Sequence, residues 1–191
     1  MKKKLISVCA CALAAATLFA GCSKTYEIDF DTDFGDIDEE DILEALDAIG
    51  FDDYEEYEDG AFSFTGSQDY DYDIDIDAET DVSYFSYVKC SDEETAKALF
   101  EYYYENTYEA VIDGDEDLSG RSASEFDGNE CYVIIHGSVD EGDTTMIYHD
   151  LLLLKGDMVL IAMSNPTESS EIVDSRNEIN TFLDSLGYPN P

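Results

Sequence analysis

The sequence predicts an α+β domain, an antiparallel sheet of five or six strands with helices on one face. Three observations lead there. Residues 69–77 read Asp-Tyr-Asp-Tyr-Asp-Ile-Asp-Ile-Asp, the period of two that a half-buried strand shows. Residues 38–50 and 167–186 repeat apolar side chains every three to four positions, as amphipathic helices do. Lys155-Gly156-Asp157 separates two apolar runs by the length of a tight hairpin turn.

Taken in order, residues 22–37 read as an acidic tether. Tyr26, Ile28 and Phe30 alternate with Glu27, Asp29 and Asp31, yet Gly35 and the density of acids favour a solvated linker over a strand. A single α+β domain is expected over residues 38–191. Its first helix, 38–50, turns Ile42, Leu43, Leu46 and Ile49 inward. Asp38, Glu39, Glu40 and Asp41 crowd its first turn, where the helix dipole favours negative charge, and Gly50 suits its stop. Phe62 and Phe64 mark a short strand, and Gly66-Ser67 a turn. In 69–77, Tyr70, Tyr72, Ile74 and Ile76 are expected on the core face and five aspartates on the water face, a register that a one-residue slip would invert.

Residues 82–90 form another aromatic and β-branched strand. Ser91-Asp92-Glu93-Glu94 reads as a capping box for a helix reaching about Asn106, with Ala96, Leu99, Phe100 and Tyr103 inward. The polar stretch 112–129 reads as a loop. Strands follow at 130–138, 144–154 and 157–164, then a helix over 167–186 with Ile172, Ile179, Phe182, Leu183 and Leu186 as its stripe. Val88-Lys89-Cys90-Ser91-Asp92 enters one helix much as Ile161-Ala162-Met163-Ser164-Asn165 enters the other. That likeness suggests two β-β-β-α units sharing one sheet.

The N-terminus has a different character. Met1-Lys2-Lys3-Lys4 is basic, residues 5–20 carry no charge, and Gly21-Cys22-Ser23-Lys24 follows. A basic start, a short apolar run and a small-residue cleavage site describe a secretory signal over residues 1–21. The run falls short of the roughly 20 residues that span a bilayer. Leu18-Phe19-Ala20-Gly21-Cys22 resembles the lipobox of bacterial lipoproteins. The resemblance covers only residues 1–22 and departs from the usual pattern at Phe19, where Leu is common. It implies cleavage before Cys22, a diacylglycerol on its thiol and an acylated new amino terminus. It also implies export, with the protein held at the outer face of the cell membrane, or at the outer membrane in a Gram-negative source. Two or more acyl chains give stable anchoring.

The chain has 9 basic and 47 acidic residues. Cleavage before Cys22 removes three lysines and no acid, leaving a net charge near −41. Such a surface argues against nucleic acid, whose phosphates need cations, and against lying flat on an anionic bilayer. It suits a basic protein or envelope partner, or gathered counter-ions. Aromatic residues make up 13% of the chain, enough to build a core despite the charge.

Three sets of residues could carry chemistry. Cys90 and Cys131 are candidates for a disulfide in an exported protein, and closing a loop of about 40 residues would stabilise by around 4 kcal/mol through loop entropy. Asp113, Asp115 and Asp117 occupy positions 1, 3 and 5 of a candidate Ca²⁺ loop. Leu118 stands where an EF-hand has Gly, and Ser124 where it has the bidentate Glu. His136 and His149 are the only imidazole bases, and both lie in strands among apolar neighbours, the setting of a structural histidine. No Gly-x-Ser-x-Gly, phosphate-binding glycine loop or zinc-ligand spacing is present. Tyr102, Tyr103 and Tyr104 lie together on a helix, with Tyr54 and Tyr57 on the loop before the first strand. Consecutive helix positions diverge, so at least one of the three must approach solvent. The expected function is a lipid-anchored, non-catalytic binding or accessory module outside the cell. The alternatives are a calcium-binding lipoprotein and a cell-envelope hydrolase.

Overall fold

The computed structural model describes residues 34–63, 70–114, 116–142 and 144–191. The signal segment, Cys22 and the tether up to residue 33 lie outside the described residues. Residues 34–37, assigned to the tether from sequence, are docked on the domain. Phe34 is buried against Tyr132 and Tyr188, with ring centroids 5.4 and 5.1 Å away. The Tyr188 hydroxyl donates to the Gly35 carbonyl at 2.8 Å, and Lys155 pairs with Asp36 at 2.8 Å.

The chain forms α1 (Glu39–Ala48), β1 (Glu55–Phe62), β2 (Tyr70–Glu79), β3 (Ser83–Cys90) and α2 (Glu93–Tyr103). A π-helical turn, Tyr104–Tyr108, continues α2 into α3 (Glu109–Ile112). Then come β4 (Leu118–Asp127), β5 (Glu130–Glu141), β6 (Thr144–Lys155), β7 (Met158–Ser164) and α4 (Ile172–Ser185). The strands make one antiparallel sheet in the order β1-β2-β3-β7-β6-β5-β4. The α+β class holds, and the sheet has seven strands rather than five or six. The extra strand is β4, inside the stretch read as a loop. Its sequence, Leu-Ser-Gly-Arg-Ser-Ala-Ser-Glu-Phe-Asp, lacks apolar alternation because it is an edge strand and mostly exposed.

Helices cover both faces of the sheet, not one. Residues 151–154 and 158–162 are buried at every position, and strands apolar on both sides need a layer above and below. Leu151, Leu153, Leu160 and Ala162 pack with Ile42 and Leu46 of α1 and Ile179, Phe182 and Leu183 of α4. Leu152, Leu154, Val159 and Ile161 pack with Ala96, Leu99 and Phe100 of α2 and with Tyr108 and Val111. This rules out the expected pair of β-β-β-α units. Antiparallel neighbours such as β3 and β7 are related by a twofold perpendicular to the sheet, which keeps each face. Here α2 and α4 lie on opposite faces, and four strands, not three, precede α4.

Local chemistry sets the element ends. Asp38 caps α1 by accepting from the amides of Glu40 and Asp41, and the Asp41 carboxylate accepts from the Asp38 amide in return. At α2 the cap is Asp92, which accepts from the Thr95 amide at 2.8 Å, so the expected box on Ser91 is displaced by one residue. The last helix starts at Ile172 rather than near Thr167 because the Glu171 carboxylate holds the amides of Thr167 and Glu168 in a turn. β2 has a bulge between Tyr72 and Ile74. Tyr72 lies opposite Cys90 and packs on the α2 side, while Ile74 lies opposite Lys89 and packs on the α1/α4 side. The four apolar residues expected on one face are therefore split between two. Among the described residues no helix is long and apolar enough to cross a membrane.

Candidate functional site

The register of three strands assembles a polar row on the α1/α4 face. Arg121 of β4 lies opposite His136 of β5, which lies opposite His149 of β6. The imidazoles meet directly, Nδ1 to Nδ1 at 2.7 Å, with their rings at 78°. The far nitrogen of His149, Nε2, lies 2.7 Å from Oδ1 of Asn180 on α4. With that amide oxygen accepting, Nε2 of His149 carries its proton, Nδ1 of His149 accepts, and Nδ1 of His136 donates. In such a chain His149 stays neutral, since a second proton on it would set its Nδ1–H against the Nδ1–H of His136. Burial lowers the His149 pKa to about 4, against the raising effect of Asn180, with His136, Arg176 and Arg121 pushing the same way as burial. Burial, Arg176 and Arg121 also lower His136.

The two arginines beside this pair are the only arginines in the sequence. Arg121 donates from Nη2 to the Pro191 carbonyl at 2.9 Å. Arg176, one turn before Asn180 on α4, has a buried Nε with no hydrogen-bond partner. The ion pairs among the described residues are Lys89–Asp157, Lys97–Glu101 and Lys155–Asp36. Neither arginine joins one, in a chain with 47 acids.

Behind His149, on the α2 face, sits Asp150, 2% exposed. The β6–β7 ladder runs from Lys155↔Met158 to Leu151↔Ala162, and the Asp150 carboxylate takes over beyond it. Its Oδ1 accepts from the amides of His149 and Ser164 at 2.9 Å each and from the Ser164 hydroxyl at 2.8 Å. Its Oδ2 accepts from the buried Tyr108 hydroxyl at 3.3 Å. Burial pushes the Asp150 pKa up to about 6, and these hydrogen bonds oppose the rise. The π-helical turn places Tyr108 here: the Glu109 amide bonds back five residues to Tyr104, and the added residue rotates Tyr108 onto the core face.

Farther along the α2 face, Asp77 accepts from the Tyr84 hydroxyl at 2.7 Å. Burial, with a smaller effect from Asp77, raises the neighbouring Asp75 to about 6. The phenol of Tyr84 is pushed well above its ordinary value by burial, then by Tyr103 and Asp77. These two aspartates were expected on the solvent face, and the bulge in β2 turns them under α2 instead.

The structure does not join Cys90 to Cys131. Both are buried free thiols, on β3 and β5 with β7 and β6 between them. Three strand spacings of about 4.8 Å far exceed the roughly 7 Å between Cα atoms that a disulfide bridges. The thiols also face α2, opposite the histidines, so no thiol–imidazole dyad forms. Burial raises both thiols, Cys90 to about 12. Asp113 lies in the turn after α3 and Asp117 just before β4, and Asp115 lies outside the described residues. Among the described residues no three His, Cys, Asp or Glu side chains converge to hold a metal. Tyr102, Tyr103 and Tyr104 are all half-buried, while Tyr57 lies on β1 and is 46% exposed.

Two hollows remain. One of about 270 Å³, lined by Phe34, Glu125, Asp127, Tyr132 and Lys155 among others, is under the ~300–1,000 Å³ usual for small-molecule pockets. The other is a groove of about 520 Å³ beside α1 and the end of α4, lined by Glu40, Leu43, Glu44, Asp47, Ala48 and Ser185. Compared with known proteins, no family model matches the sequence, no curated protein matches it, and no solved structure matches the fold.

Proposed function

We propose that the protein is a lipid-anchored, non-catalytic binding module that works outside the cell and takes a basic protein or envelope partner. The observation behind this reading is the groove beside α1. Glu40, Glu44 and Asp47 line it with no cation among them, and Leu43 and Ala48 form an apolar floor. Lys and Arg side chains carry apolar stems below a charged head, so a basic segment matches both features. The anchoring half of the reading rests on the lipobox at residues 18–22.

Each half has its own test. Cys22→Ser is expected to move the protein from the membrane fraction to the soluble exported fraction; retention in membranes would refute the anchor. An oligolysine peptide is expected to bind wild type, and Glu40→Gln/Glu44→Gln/Asp47→Asn to weaken binding at least tenfold. The matched control Glu55→Gln/Glu56→Gln/Glu58→Gln removes as much charge from β1. Equal weakening by both triples would show a general field effect and no site.

A further inference from the structure

We propose that β4 pairs antiparallel with β4 of a second copy, about a twofold axis at Ala123, making one continuous sheet across two molecules. Among the described strands β1 and β4 are the two outermost of the sheet, and they differ. β1 carries exposed Glu55, Glu56, Glu58 and Asp59, and Asp59 leaves the extended line with φ of +51°. Charge and irregularity of this kind keep an edge from pairing. β4 has neither a run of like charge nor an irregularity at its centre. It keeps ten successive register pairs with β5 without a shift, contains no Lys or Pro, and its two central charges, Arg121 and Glu125, are of opposite sign.

The sequence of β4 complements itself in one register. A twofold perpendicular to the sheet sets residues of the same face opposite each other. With Ala123 opposite Ala123 of the copy, Arg121 falls opposite Glu125 twice, and Ser122 opposite Ser124. Gly120 falls opposite Phe126, a ring left 40% exposed in the single chain. Opposite charges and an aromatic laid over a cross-strand glycine are favourable sheet pairs. Moving the axis to Ser122 puts Arg121 against Ala123 and loses the ion pairs. Moving it to Ser124 trades Glu125 for Asp127 but sets Phe126 against Ser122. The arrangement also supplies Arg121 with the carboxylate it lacks among the described residues of its own chain.

The same axis keeps both α1/α4 faces on one side. Phe34, where the described chain begins, packs on that face, so both copies are reached from one membrane; this clause rests on the anchoring reading. The copies, cleaved before Cys22, repel through a net charge near −41 each, but salt at 0.15 M screens beyond about 8 Å, while the paired side chains touch.

Cysteine cross-linking in the full-length chain, expressed in bacteria, tests the register. Opposed Cα atoms on the axis lie about 4.5–5.5 Å apart, within disulfide reach. Residues at 119 would be about 27 Å apart at roughly 3.4 Å per residue. Under mild oxidation Ala123→Cys is expected to give a covalent dimer at least tenfold more than Ser119→Cys. Arg121→Glu and Glu125→Arg are each expected to reduce cross-linking of Ala123→Cys at least tenfold, and the double reversal to restore it. No dimer from Ala123→Cys in membrane-bound protein would overturn the pairing and leave the anchor standing. A dimer from protein found soluble would overturn the anchor and support the pairing. Equal cross-linking at 119 and 123, or no effect of either charge change, would also overturn it.

Discussion

His149 and Asp150 are adjacent, point to opposite faces of β6, and titrate in opposite senses. Folding moves Asp150 from about 3.9 up to about 6 and His149 from about 6.5 down to about 4. Between these values the folded chain holds a proton on Asp150 that the unfolded chain has lost, so that residue's contribution to stability falls as pH rises toward 6. The unfolded chain holds a proton on His149 that the folded chain refuses, so the second contribution grows as pH rises from 4 to 6.5. Each amounts to about 3 kcal/mol, and they nearly cancel. Asp75, also raised to about 6, adds the same slope to every variant, so the comparison is with wild type: relative to it, we expect the melting temperature of Asp150→Asn to rise more over pH 4 to 6, and that of His149→Gln to fall. Two variants with the slope of wild type would show that neither group is shifted as described. The thiols give a second check: Cys90 and Cys131 should resist alkylation at pH 8 until denaturant is added, and rapid labelling of native protein would contradict their burial. The histidine pairing was partly legible. Counting back from the Glu141↔Thr144 pair sets His136 opposite His149, but the end of that hairpin was not identified from sequence. Asp150 showed only as an acid interrupting the apolar run 146–154, and nothing local announced Ser164 or Tyr108 as its partners.

Elements were legible in proportion to how far burial shapes their sequence. β6 and β7 stand out because both faces are core, and the hairpin turn at Gly156-Asp157 was readable: it joins them in two residues, with φ of +61° at Gly156. β4 did not stand out, because an edge strand with little burial needs no apolar period. The bulge in β2 was hidden for another reason: the Asp/Tyr/Ile alternation continues through it, and only the partner strand reveals the shift. These contrasts predict stability. Leu152→Ala, at a position with no exposure, should cost about 2–5 kcal/mol in denaturant unfolding. Ser119→Ala on exposed β4 should stay within about 0.5 kcal/mol. Comparable losses would mean that β4 is more deeply built into the fold than its exposure indicates.

At the scale of the whole molecule, charge is the dominant strain. Among the described residues only Asp36, Glu101 and Asp157 are ion-paired, so the acids mostly repel one another. Salt from 10 to 150 mM shortens the screening length from about 30 to about 8 Å and should raise the melting temperature. NaCl and CaCl₂ at equal ionic strength should act alike if screening is the whole effect. An excess from Ca²⁺ that disappears in Asp113→Asn/Asp117→Asn would instead establish a specific cation site there.

The strand order has a consequence for how the chain reaches this state. β1-β2-β3 is one meander and β4-β5-β6-β7 another, each closed by neighbours in sequence. The two are joined in the sheet by a single seam, β3 on β7, where Val88 meets Val159 across some seventy intervening residues. Hairpins form in about 1–10 μs, while pairings distant in sequence bear the entropy of a long loop before they are rewarded. Closing that seam should be the late step of folding. Until it closes, β3 and β7 are two apolar edges open at once, and that interval is when the newly made chain is most exposed to pairing with the wrong molecule.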